Sequence, residues 1–158
     1  MSGVPDIFRL IGQLQADYCR CIDNDDLERW PDLFVEDCVY RVTTAENDRQ
    51  GFVVGMIDAS SRGMLADRIS ALRSANIYER HSYRHILGQP AIVEESESEG
   101  GCETSFLIVR IMQSGETGIF ATGYYRDRYR IVDGAARLVE RIVVCDSRRI
   151  DTLLVIPL

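Results

Sequence analysis

Residues 82–147 narrow the possible folds more than any other stretch of this chain. They hold four long β-rich runs, at about 82–94, 103–114, 117–131 and 135–147. The breaks between them are Ser96–Gly101, Gly115-Glu116 and Asp133-Gly134, the last a strong hairpin signal. Strands longer than the usual length of about 5–6 residues must twist and curve, and Gly88 and Gly123 lie inside the runs to permit it. The acidic stretch Glu94–Gly101 reads as a solvated hairpin tip.

The region ahead of these runs is helical. Ile7, Leu10, Ile11, Leu14, Tyr18 and Cys21/Ile22 recur at helical spacing over 5–23, with Pro5 suited to a first turn. Asp23–Asp26 stops that helix. Leu27–Trp30 reads as one further turn, which Pro31 interrupts before a second through Leu33-Phe34. A short strand is expected at Cys38–Thr43. The segment 44–59 is ambiguous and admits a strand at Phe52–Met56. Ser60-Ser61 caps a third helix with an apolar face of Met64, Leu65, Ile69 and Leu72. Helices followed by a strongly curved, mostly antiparallel sheet form the plan of an α+β cone. A length of 158 residues fits one domain, residues 1–158.

Alternation along the third run separates two faces. Ile119, Ala121, Gly123, Tyr125, Asp127, Tyr129 and Ile131 suit a concave, helix-covered side. Phe120, Thr122, Tyr124, Arg126, Arg128 and Arg130 lie on the other, where an aromatic and apolar end adjoins a row of arginines. Such a face reads either as solvated guanidinium groups or as a subunit interface, in which arginine and tyrosine are enriched. The apolar tail Leu153-Leu154-Val155-Ile156-Pro157-Leu158 adds a second candidate interface segment through Leu153, Leu154 and Ile156.

Composition removes several function classes. The formal charge is −7 and all 18 basic residues are arginine. A nucleic-acid surface requires the opposite sign. Without lysine there is no Schiff base, catalytic ammonium or phosphate-loop lysine. No apolar run approaches a membrane span of about 20 residues, and no leader peptide is visible, so the cytoplasm is the expected compartment. Five cysteines form no CxxC pair and read as buried thiols. The two histidines, His81 and His85, have neither HExxH spacing nor a third ligand, so no metal or cofactor site is expected in this chain. One catalytic alternative remains open. If His85, Asp127 and Tyr125 met inside the cone, they would form an acid/base set for dehydration or isomerisation. Against it stands a salt bridge from Asp127 to a cross-strand arginine such as Arg84, Arg110 or Arg141. A small-ligand binding module without chemistry is a third reading.

Particular stretches then carry a family likeness. Met64–Arg73, Ser82–Gly88, Leu138–Ser147 and Trp30-Pro31-Asp32-Leu33-Phe34 resemble the β subunits of aromatic-ring-hydroxylating dioxygenases. Asn76–Gly88 is most similar to the branch acting on terephthalate, with salicylate and other benzoate-type hydroxylases next. His81 departs from relatives that carry a proline before the Ser-x-Arg-His stretch. The resemblance implies a cone-shaped NTF2-like/SnoaL-like fold and an α3β3 hexamer with other β subunits. It also implies a partner α subunit carrying a Rieske [2Fe-2S] cluster and mononuclear Fe(II), and a separate reductase. It implies no catalytic residue in this chain, whose role is then structural in a complex that adds O₂ to an aromatic acid.

Overall fold

A computed structural model describes residues 5–52, 55–75, 79–148, 154 and 156–158. Helix α1 spans Ile7–Asp23 and is capped by the Asp6 carboxylate, which accepts from the Arg9 N–H at 3.1 Å. Pro5 therefore precedes the cap rather than entering the first turn. A 3₁₀ helix follows at Leu27–Leu33 and runs through Pro31 without a break. Proline is tolerated because so short a helix leaves few ladder bonds to lose, and Phe34 leaves the helix to begin a strand.

The remaining elements are β1 (Phe34–Thr44), α2 (Ala45–Arg49), β2 (Ile57–Ala59) and α3 (Arg62–Ser74), then β3 (His81–Leu87), β4 (Ala91–Glu95), β5 (Glu99–Met112), β6 (Thr117–Val132) and β7 (Ala135–Cys145). The expected strand at Phe52–Met56 is instead the short β2, and residues 53–54 lie outside the described set. Ser61 caps α3, which buries Leu65, Ile69 and Leu72 but leaves Met64 exposed. The first β-rich run is two strands, because Gly88-Gln89-Pro90 ends β3, and both strands pair with β5.

The sheet order is β2-β1-β7-β6-β5-β3, with β4 also on β5. Every pairing is antiparallel except β1 with β7. The sheet's inner face closes over α1 and the 3₁₀ helix. Trp30 stands edge-on to Phe34 and Tyr40 at 5.5 and 5.0 Å, and all three rings are buried.

The inner-face alternation of β6 holds from Ala121 to Ile131 and fails at Ile119. A register shift opposite Ile108/Val109 inserts Phe120 as an extra residue. Phe120 then stacks on Tyr83 at 5.3 Å, while Ile119 turns outward at 73% exposure. Gly123 has a different constraint. A Cβ there would lie 1.9 Å from the Val144 carbonyl oxygen across the strand pair. Gly123→Ala is expected to cost about 1–3 kcal/mol, because backbone rather than a side chain must move. A fall in urea midpoint without a change in slope is the readout.

Candidate functional site

The inner face carries two polar clusters. The deeper one centres on Arg141, which faces Asp127 directly across β6 and β7. Arg141 Nε and Nη2 donate to the two Asp127 carboxylate oxygens at 2.8 and 2.7 Å, and both side chains are excluded from solvent. From α1, the Gln15 amide nitrogen donates to Asp127 at 3.1 Å and to the Thr104 hydroxyl at 3.2 Å. The Gln15 carbonyl accepts from Arg141. The guanidinium lies between the rings of Tyr18 and Tyr125, at 4.1 and 4.0 Å from their centroids. Burial opposes the Arg141 charge, yet the Asp127 carboxylate holds its pKa above the ordinary arginine value. Both phenols flanking it are raised by burial.

The second cluster joins α1 to β3. Asp23 accepts from the His85 backbone N–H at 2.9 Å and from Nδ1 at 2.6 Å, so Nδ1 carries the ring proton. The His85 ring is fully buried, and its Nε2 makes no hydrogen bond among the described residues. His81 bonds the Glu79 carbonyl through Nδ1. An open pocket of about 630 Å³ lies beside this cluster, lined by Ile22, Asp23, Leu72, His81, Ser82 and Ile156 among others.

The proposed meeting of His85, Asp127 and Tyr125 does not occur. His85 pairs with Ile108, which pairs with Ala121, and Asp127 is six residues further along β6. At about 3.3 Å per residue that separation is roughly 20 Å along the strand. Each group has a different partner: Asp23 for His85 and Arg141 for Asp127. Of the three arginines considered for Asp127, Arg141 takes the role. Burial also holds the thiols of Cys19, Cys21, Cys102 and Cys145 up at about 12, which removes thiolate character. Among the described residues, no three His, Cys, Asp or Glu side chains are grouped to hold a metal ion.

The outer face carries Tyr124 and Arg126 half-buried and Arg128 and Arg130 exposed. Arg126 forms a two-pronged bond to Asp48 of α2 at 2.8 and 2.9 Å. Arg130 faces Glu99, and Arg128 faces Glu140, across the strands. Beside them lie the outward residues Ile86, Leu107, Val109 and Ile119. The apolar tail is placed differently from the interface expectation. Ile156 and Leu158 are buried in the chain's own core and Leu154 packs against it, because the Leu158 backbone finds partners in Tyr18 and Tyr40. Leu153 lies outside the described residues.

The Arg126 guanidinium holds the Asp48 carboxyl below the usual carboxylate range. A depressed folded-state pKa contributes stability that is present above the unfolded value and lost as pH falls through the folded one. The difference in urea midpoint between the native chain and Asp48→Asn is therefore expected to be open at pH 7 and to close below about pH 4. A difference that persists unchanged at pH 3 contradicts the assignment.

The SnoaL-like domain model matches residues 9–142. Subunit beta 1 of the terminal oxygenase component of terephthalate 1,2-dioxygenase, from a Comamonas species, is 49% identical over 148 residues, covering 94% of this chain and 96% of that one. This chain belongs to the β subunits of aromatic-ring-hydroxylating dioxygenases. The small subunit of anthranilate 1,2-dioxygenase from Burkholderia cepacia is 38% identical, over 94% of this chain and 92% of that one. A crystal structure described as the β subunit of such a dioxygenase from Novosphingobium aromaticivorans superposes with a TM-score of 0.89 at 38% identity, covering 96% and 97% of the two chains. The expected SnoaL-like, NTF2-like cone is the fold of this β subunit.

Sequence reading missed three members of its polar clusters, Gln15, Thr104 and Asp23. Gln15 was legible, since it stands four residues after Ile11 and three before Tyr18 and so places an amide within the apolar stripe of α1. Asp23 was not, because an acidic residue at a helix end has an ordinary explanation as a stop signal.

Proposed function

We propose that this β subunit is a structural, non-catalytic part of an oxygenase that dihydroxylates terephthalate to its cis-dihydrodiol. It acts as one domain, residues 1–158, within an α3β3 hexamer. The α subunit of such an assembly carries the Rieske cluster and mononuclear iron, and a reductase supplies electrons from a nicotinamide cofactor. The outer face at Tyr124, Arg126, Arg128 and Arg130 serves as the contact surface with partner subunits.

The observation that carries the non-catalytic reading is the separation of the two inner clusters. His85 is committed to Asp23, and Asp127 to Arg141 and Gln15, so the acid/base set of His85, Asp127 and Tyr125 is not assembled. The substrate reading rests on the 49% identity to the Comamonas terephthalate dioxygenase subunit. The test is turnover by the oxygenase reconstituted from this chain, its large subunit and a reductase. Terephthalate is expected to give the cis-dihydrodiol with the highest kcat/KM among terephthalate, salicylate and anthranilate. Preference for either of the others overturns the substrate reading.

A further inference from the structure

Two exposed patches on the sheet carry opposite charge, and neither is balanced within the chain. The first lies on the outer side of β3, where Arg84 and Ile86 alternate with the buried Tyr83 and His85. Arg80, one residue ahead of the strand, continues that alternation, and its carbonyl accepts from the Gln113 N–H. Across the strands Ile86 faces Leu107, Arg84 faces Val109, and Val109 faces Ile119. Ile86 is 54% and Ile119 73% exposed. Both arginines are exposed, and neither has an ion pair among the described residues. The second patch is the β4–β5 hairpin, where Val93 is 62% exposed near the exposed Glu95 and Glu97. Glu94 and Glu99 stand near Arg128 and Arg130, whereas Glu95 and Glu97 have no ion pair among the described residues.

We propose that a second copy of this chain covers the β3 patch with its β4–β5 hairpin, so that copies join head to tail. Each patch combines exposed aliphatic side chains with two unpaired charges, and the signs are complementary. The two cannot meet within one molecule. Arg84 reads onto Val109 and Glu94 onto Gly101, eight residues apart on β5, or about 26 Å at about 3.3 Å per residue. That is more than twice the screening length of about 10 Å at 0.1 M salt. Contact of either patch with its own copy would bring like charges together, which leaves the head-to-tail arrangement. Such contacts run on into a filament unless they close into a ring, and a ring of three rests on the α3β3 reading above. Arg128 and Arg130 stay free for the large subunit.

Sedimentation velocity on the full chain tests this. At low salt the chain is expected to self-associate with a Kd of about 10 µM or tighter. Arg80→Glu with Arg84→Glu, or Glu95→Arg with Glu97→Arg, should weaken that Kd at least about tenfold, because each pair sets like charges face to face. All four reversals in one chain restore opposite charges across the contact and should return Kd to within about threefold of the native value. The four side chains are exposed, so an unchanged thermal midpoint is the control. A chain still monomeric at about 100 µM, a Kd indifferent to either pair, or a fourfold variant as weak as the pairs overturns the proposal. The α3β3 reading fails separately. Copies that join through these patches in a number other than three contradict it and leave the contact standing, whereas an α3β3 assembly indifferent to the reversals does the opposite.

Discussion

Arg141→Ala is expected to destabilise the isolated β subunit by about 3–5 kcal/mol, a large share of the roughly 5–15 kcal/mol that holds a typical domain folded. The loss comes chiefly from what remains behind. Asp127 keeps a carboxylate with 2% exposure and loses both charge-assisted bonds, and the Gln15 carbonyl loses its donor. Tyr18 and Tyr125 also lose the cation between their rings. If the unpaired charge dominates, removing both charges is less harmful than removing one. Asp127→Leu with Arg141→Met should therefore recover a large part of the loss in urea denaturation, though not the part owed to Gln15. A double variant no more stable than Arg141→Ala places the cost in packing instead.

Arg128→Glu with Arg130→Glu is expected to leave the isolated chain folded and to weaken its assembly with the large subunit by roughly a hundredfold or more. Both guanidinium groups are exposed, so their loss touches no core. Glu99 and Glu140 stand opposite them and would meet like charge, a cross-strand cost below about 1 kcal/mol. Arg126 is left alone because its bonds to Asp48 also serve the fold. Isothermal titration of the variant against the large subunit reads the effect, and an unchanged thermal midpoint is the control. Wild-type affinity at wild-type stability removes this face from the interface.

The parts of the molecule legible in its sequence are those governed by local rules. Strand alternation assigned Tyr125, Asp127 and Tyr129 to the inner face, and the Asp133-Gly134 turn fixed the β6–β7 hairpin. Periodicity gave α1 nearly to the residue. What failed depended on register. Alternation placed His85 and Asp127 on the same side, and it contains no information about how far apart along the strands they fall. The Phe120 bulge reversed Ile119 for the same reason, since one inserted residue flips every later side chain. The apolar tail was readable as a segment needing cover. That the cover lies within the chain depended on Tyr18 and Tyr40, far away in sequence, placing hydroxyls against the backbone N–H and carbonyl of Leu158.

The central claim is that this β subunit contributes structure and not chemistry, and native mass spectrometry with metal analysis addresses it most directly. The chain should be purified alone and together with its oxygenase large subunit. Alone, it is expected to be colourless, free of iron and unable to oxidise or dehydrate any aromatic acid. Together, the two should form one assembly with equal numbers of both chains and the iron and visible absorbance of an oxygenase, and His85→Ala in this chain should leave turnover per assembled iron unchanged. An isolated chain that turns over a substrate and stops when His85 is replaced contradicts the account.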